Sequence, residues 1–258
     1  MLRSVLIGKL RAAGCVFAED EAELLLAAAQ NPADLAAMAD RRVAGLPLEH
    51  VLGWAEFCGL RITVDAGVFV PRRRTGFLVR QAADLARPGA VIVDLCCGSG
   101  AVGAALQAIV PGARVYATDI DPAAVRCAGS NLAGGGGQVF AGDLFEPLPA
   151  ALLGQVDVLV ANAPYVPTDA IAMMPREARL HEAHVALDGG GDGCDVQRRV
   201  AAGAGPWLAH GGTVLLETSA GQASTSMEIF ARNGFGTRQV SSAAFDATVV
   251  IGTKAGSK

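Results

Sequence analysis

From residue 75 onward the chain alternates short apolar strands with helical stretches, and that alternation leaves few folds open. Strand patterns fall at Val91–Leu95, Arg114–Thr118, Gln138–Ala141, Val156–Ala161 and Thr213–Glu217. Helical patterns lie between them at Val102–Val110, Pro122–Leu132, Asp192–Ala209 and Gln222–Arg232, after a first helix Gly76–Ala86 that stops at Pro88. Such an order specifies a parallel sheet covered by helices on both faces. Two more strands, Gly236–Ser241 and Thr248–Gly252, are joined by only a short loop. A parallel crossover needs about a dozen residues, so this pair is expected to be antiparallel. The predicted fold is α/β, a Rossmann-like doubly wound sheet of seven strands with the last one antiparallel. Ligands in such sheets bind beyond the carboxyl ends of the strands. Asp94, Asp119, Asp143 and Asn162 are all expected there.

The first part of the chain reads differently. Residues 1–55 carry short helices: Leu2, Val5, Leu6 and Leu10 keep helical spacing, and a second helix, Asp20–Ala29, is closed by Asn31-Pro32. A third, Ala33–Ala44, ends at Gly45. Residues 56–70 alternate weakly around the turn signals Cys58-Gly59 and Asp65-Ala66-Gly67, as a hairpin would. The expected organisation is a helical domain at 1–55, a β-hairpin linker at 56–74 and the α/β domain at 75–258.

Composition narrows the function. With 258 residues, 52% of them hydrophobic and 18% charged, the chain can bury a large core. Its net charge is −4 and it has no long basic run, which argues against a protein that grips nucleic acid by electrostatics. The six cysteines have neither C-x-x-C pairing nor regular spacing, so thiols in a reducing compartment are expected rather than disulfides or a metal site. Apolar stretches are broken by charge too early for a membrane span, and the start lacks a signal-peptide core. The expectation is a cytoplasmic monomer.

The chemistry concentrates at strand ends. In Val91–Gly103, VIVDLCCGSGAVG, a buried strand runs into Gly98-Ser99-Gly100 and then a helix, letting a ligand approach bare backbone at a positive helix end. The stretch also matches G-x-G-x-x-G, so a dinucleotide oxidoreductase is a live alternative. Asp94, read as part of the turn, suits an ammonium group. Asp119 can accept both hydroxyls of a ribose, while Asp121, just before Pro122, fits the role of helix cap better. Asp143 can accept from an adenine amino group, with Leu144 against the ring. Asn162, at the end of its strand, can accept from a planar NH₂ group, as can the Ala163 carbonyl, and Tyr165 offers a π-face beside it. An Asn-x-Pro-Tyr here suits methylation of a nitrogen conjugated to a carbonyl or ring.

Taken together in order, PLEHVLGWAEFCGL (47–60), FVPRRRT (69–75), DLCCGSG (94–100), ATDID, GDLF (142–145), NAPY (162–165), HEAHVALDGGGDG (181–193) and LLET around Glu217 resemble the HemK/PrmC family. These are the glutamine N5-methyltransferases that act on peptide-chain release factors. The resemblance implies S-adenosylmethionine as cofactor, held by Cys96, Cys97, Gly98, Ser99, Gly100, Asp119, Leu144 and Asn162, with Asp94, Ile120 and Asp143 beside them. It implies that Asn162, Ala163, Pro164 and Tyr165 hold the glutamine amide of a protein substrate. The sequence departs from the family at Ala163, which replaces the first proline of NPPY, at Gly76, which replaces an acid, and at Ala183, which replaces a proline. The resemblance implies that the helical domain at 1–55 recognises the protein partner and that 75–258 is the S-adenosylmethionine-dependent methyltransferase domain; the helical part is short, as in a diverged member. A nucleic-acid base N-methyltransferase would use the same Asn-x-Pro-Tyr logic but should carry a basic face; a non-catalytic S-adenosylmethionine-binding protein is the other alternative.

Other groups are read more plainly. His181-Glu182-Ala183-His184 lacks the H-E-x-x-H spacing and a third ligand, so no metal is expected. Arg72, Arg73 and Arg74 suit either a carboxylate or solvent. Met173 and Met174 fit a substrate lid or ordinary packing. His50 and His210 show no partner in the sequence.

Overall fold

The computed structural model describes residues 1–254. Helices α1 (Arg3–Ala12), α2 (Ala18–Ala28), α3 (Pro32–Val43) and α4 (Leu48–Leu52) precede a hairpin of β1 (Trp54–Phe57) and β2 (Leu60–Thr63). Leu6, Leu10, Leu25, Leu35, Met38 and Val51 close a core among the four helices. Asn31-Pro32 does not end α2 but opens α3: the Asn31 side chain accepts from the Ala33 and Asp34 amides at 3.0 and 2.9 Å, with proline at the first helical position. An Asn-Pro pair therefore punctuates on its downstream side. Helix α4 is not visible as periodicity because it is only one turn long. The hairpin is narrower than expected, since only Cys58-Gly59 turns it.

The remainder is α5 (Gly76–Leu85), β3 (Val91–Leu95), α6 (Ala101–Ile109), β4 (Arg114–Asp119), α7 (Pro122–Leu132), β5 (Gln138–Ala141) and β6 (Val156–Ala161). After a long loop come α8 (Arg176–His181), α9 (Asp195–Trp207), β7 (Leu208–Thr218), α10 (Ala223–Arg232), β8 (Phe235–Ser242) and β9 (Ala247–Lys254). The sheet order is β5-β4-β3-β6-β7-β9-β8, with β9 antiparallel to both of its neighbours and the other pairs parallel. Insertion of an antiparallel strand between β7 and β8 separates this sheet from the 3-2-1-4-5-6 dinucleotide order. Strand β7 starts five residues earlier than its apolar run: its first segment pairs with Val156 across a register shift, which ends α9 at Trp207. Asp192 lies outside α9, where its carboxylate accepts from the Cys194 amide.

Side-chain alternation explains the continuous apolar strands. Val91, Val93 and Leu95 pack under α9 and α10, while Ile92 packs on the opposite face with Leu78 and Leu106 of α5 and α6. Both faces are covered, so both sets are buried. No helix among the described residues is long and apolar enough to cross a membrane.

Candidate active site

The chain winds outward from β3 through β4 to β5, then returns to β6 beside β3 and winds the other way. This reversal leaves a crevice where β3 and β6 separate. Leu95 and Ala161 are register partners, so Cys96 and Asn162 emerge side by side. Of the residues expected to hold cofactor and acceptor, all but Gly100 line this single cleft.

Gly100 serves packing instead. Its φ is +75°, and a Cβ there would stand 2.9 Å from the Ala128 Cβ of α7. Gly98, at φ +54°, is the open one: only the Phe69 Cβ, at 3.9 Å, would meet a side chain built on it. Bare backbone therefore faces the cleft just ahead of α6. Asn131 pins the turn from behind, donating to the Ser99 carbonyl at 2.8 Å. Cys96 and Leu144 also adopt left-handed φ, +54° and +48°, a cost that non-glycine residues carry mainly at functional sites.

The acids divide their work. Asp94 is not in the turn but on β3, 1% exposed, where its Oδ2 accepts from the Gly103 amide of α6 at 2.9 Å. Burial pushes its carboxyl up to about 7, with the Asp119 charge adding to the rise and the Gly103 amide opposing it. Asp119 accepts from the Gly98 amide at 2.8 Å on one oxygen and from the Asp121 amide at 2.9 Å on the other. Each oxygen keeps a lone pair for a second donor. Burial raises this carboxyl too. Asp121 caps α7 through the Ala123 amide at 2.8 Å, as its position before Pro122 predicts. Asp143 is ion-paired with Arg199 of α9, a partner that sequence separation hides. Burial, then the Asp119 charge, pushes the Cys96 thiol up, which keeps it protonated and unreactive.

Across the cleft, Asn162 Nδ2 donates to the Thr75 hydroxyl at 3.4 Å. The Tyr165 hydroxyl donates to Glu217 Oε1 at 3.3 Å, and the Arg74 guanidinium lies 5.9 Å from the Tyr165 ring centroid. Burial, then the Glu217 charge, pushes the Tyr165 phenol up to about 12. The glycine run before α9 has a local reason. The Val166 amide donates to the Leu187 carbonyl, the Gly189 amide to the Val166 carbonyl and the Thr168 amide to the Gly190 carbonyl, and a Cβ at Gly193 would collide with the Tyr165 carbonyl.

Several functional neighbours escape the sequence. Phe69 and Thr75 line the cleft, and both lie in FVPRRRT. Arg72 pairs with buried Glu182 and Arg74 faces buried Glu217, while Arg73 turns away. Glu182 of the HEAH stretch thus serves Arg72 and the Val70 amide. His50 is buried, with Nε2 2.8 Å from the Val68 carbonyl, and His210 is exposed. Met174 lines the cleft, whereas Met173 is 81% exposed.

Comparison with known proteins matches these features to a family. The Methyltransferase small domain model covers residues 59–209. A release factor glutamine methyltransferase of Geobacter sulfurreducens is 38% identical over 210 residues, spanning 80% of this chain and 73% of its own length. The chain belongs to the release factor glutamine methyltransferase family. A second family member, from Mycolicibacterium smegmatis, is 39% identical over 220 residues, 83% of this chain and 78% of its own. Among solved structures, a methyltransferase from Pyrococcus furiosus superposes with a TM-score of 0.57 at 18% identity, covering 76% of this chain and 90% of that one. That similarity speaks for the fold. The glycine turn, the strand-end acids and the NAPY segment are therefore set in a methyltransferase framework, and the oxidoreductase alternative falls away.

Proposed function

We propose that this enzyme transfers a methyl group from S-adenosylmethionine to the side-chain amide nitrogen of a glutamine in a peptide-chain release factor. The observation that carries the proposal is that Asn162 and Ala163, leaving β6 beside β3, line the same cleft as the glycine turn, in a chain 38% identical to a release factor glutamine methyltransferase. The cleft suits the cofactor: open backbone at Gly98, a helix N-terminus behind it, and Asp119 with free lone pairs for two hydroxyls. We place the reaction in the cytoplasm, since the six cysteines are free thiols.

S-adenosylmethionine, when bound, supplies an electrophilic methyl on a sulfonium. An amide nitrogen is a weak nucleophile because its lone pair is delocalised. The Asn162 side-chain oxygen and the Ala163 carbonyl would accept from the two N–H bonds of the acceptor, turning the nitrogen lone pair toward the methyl. The same dipoles would stabilise the positive charge that develops on nitrogen. Tyr165 and Phe69 would flank the amide and exclude water. No strong base is required, because the amide nitrogen that has taken the methyl carries the positive charge and, in that cationic form, is acidic enough to give its proton to water.

The test is labelled methyl transfer from S-adenosylmethionine into purified release factor and, in parallel, into a lysate from a strain lacking this protein. Label on a glutamine amide of the release factor supports the proposal. Label elsewhere, or on nucleic acid, refutes it.

A further inference from the structure

Glu217 stands behind the cleft wall on β7, with 2% of its surface exposed. Its Oε1 accepts from the Tyr165 hydroxyl and faces Arg74 Nε at 3.4 Å, whereas Oε2 is buried with no hydrogen-bond partner among the described residues. Folding does not ask for this group. Leu215 and Leu216 beside it are fully buried, and exchanging a buried charge for a packed apolar residue is commonly neutral or stabilising. A half-satisfied buried carboxylate is the kind of local conflict that proteins keep at functional sites.

Its position gives the reason. Ala161 and Leu216 are register partners, so Asn162 and Glu217 occupy matching places one residue further along adjacent strands. Thr75, at the start of α5, lies beside both: its hydroxyl accepts from Asn162 at 3.4 Å, and while burial pushes the Glu217 carboxyl up, the Thr75 hydroxyl opposes that rise. Tyr165 is held by Glu217 directly. Arg74 lies over the same ring while its Nε faces the carboxylate. Tyr165 is thus anchored on a buried carboxylate that does not itself line the cleft, with the Thr75–Asn162 pair beside it.

We propose that Glu217 is a positioning residue for methyl transfer, fixing the Tyr165 ring beside the Thr75–Asn162 pair so that the acceptor nitrogen meets the methyl in line. The inference rests on the glutamine-amide reading above. Glutamine at 217 would keep an acceptor for Tyr165, whereas leucine would remove it.

Wild type, Glu217→Gln and Glu217→Leu are compared as full-length proteins. Cofactor affinity comes from calorimetry, kcat and KM from the release-factor assay, and ring order from ¹³C-labelled tyrosine, which reports only Tyr116 and Tyr165. In Glu217→Leu the Tyr165 ring signals should move and those of Tyr116 stay. Cofactor affinity should hold within about twofold, while kcat falls on the order of ten- to a hundredfold, the scale of a misplaced reacting group. Glu217→Gln should recover most of that loss. If the leucine variant does not fold, a double-mutant cycle decides: Tyr165→Phe with Glu217→Ala, which also removes the acceptor, should lose less than the sum of the single losses. Unmoved Tyr165 signals, an undiminished kcat or additive losses would overturn the proposal. A wild type that leaves glutamine unmethylated would refute the functional reading, and the tyrosine signals would still decide whether Glu217 holds the ring.

Discussion

The side-chain amide of Asn162 donates to the Thr75 hydroxyl at 3.4 Å, tying the end of β6 to the start of α5. The NH₂ end is thereby engaged, and the oxygen is the end left for an acceptor's N–H. Asn162→Ala should lower kcat by roughly 10²–10³, the scale of one lost preorganised hydrogen-bonding group, with an unchanged or slightly raised melting temperature. Thr75→Val should act more gently, about 2–10-fold in kcat, as expected for one neutral hydrogen bond. Calorimetric melting and single-turnover rates on the same samples check both. An unstable but fully active Asn162→Ala protein would make Asn162 a loop cap instead.

Asp119 holds the Gly98 and Asp121 amides in addition to facing the cleft. Asp119→Ala should weaken S-adenosylmethionine binding by about 1.5–3 kcal/mol, the range for hydrogen bonds to a charged group. Asp119→Asn, which retains one acceptor oxygen, should lose less. Isothermal titration gives both values, and the same titration with NAD should show no heat of binding.

Asp94 makes stability and cofactor affinity depend on pH in opposite senses. Its carboxyl stands near 7 when folded, against 3.8 in an unfolded chain, because of burial. Its contribution to stability is full below about pH 4 and is lost as pH rises toward about 7, where only the unfolded chain has given up the proton readily. A cationic cofactor favours the ionised form. Its affinity should therefore strengthen by up to about tenfold between about pH 6 and 8, following the ionised fraction. In Asp94→Asn both slopes should flatten, as read by denaturant melts and titrations across that range; slopes identical to wild type would remove Asp94 as their origin.

Ala163 is buried, and its amide enters no hydrogen bond among the described residues. Ala163→Pro should leave methyl transfer intact, because the carbonyl stays in place, and should add about 0.4–1 kcal/mol of stability through the unfolded chain. Urea unfolding together with kcat settles it. A lost activity would show that the NAPY backbone differs from what proline permits.

Arg42 is 7% exposed and joins three segments: its guanidinium donates to Glu21 at 2.6 and 3.1 Å, to the Leu46 carbonyl at 3.0 Å and to Glu177 of α8 at 2.6 Å. Arg42→Met strands the buried Glu21 carboxylate and should cost about 3–5 kcal/mol. Adding Glu21→Leu should restore most of it. Urea unfolding of the single and double variants is the check, and a single-variant loss under about 1 kcal/mol would contradict the buried-pair account.

What the sequence determined by itself is the part of the protein written in local periodicity and short-range chemistry. β3 and β6 begin and end where their apolar runs do, because sheet residues alternate between two covered faces. The final hairpin is antiparallel because its loop is too short to cross over. Asp121-Pro122 marks the start of α7 because a cap and a fixed φ act within one turn. The residues at the ends of β3, β4 and β6 could be named as one cleft because parallel strands present the same end to the same side. Only the tertiary structure decided what those residues lean on. Asp143 meets Arg199, Glu182 meets Arg72, and Glu217 meets Tyr165, across separations of 56, 110 and 52 residues. Such pairs are set by strand order and by loops packed backbone to backbone, and no local pattern encodes them. Asp94 shows the same limit in one residue: its place on β3 follows from periodicity, yet its carboxyl near 7 comes from a burial that only the assembled sheet and α6 impose.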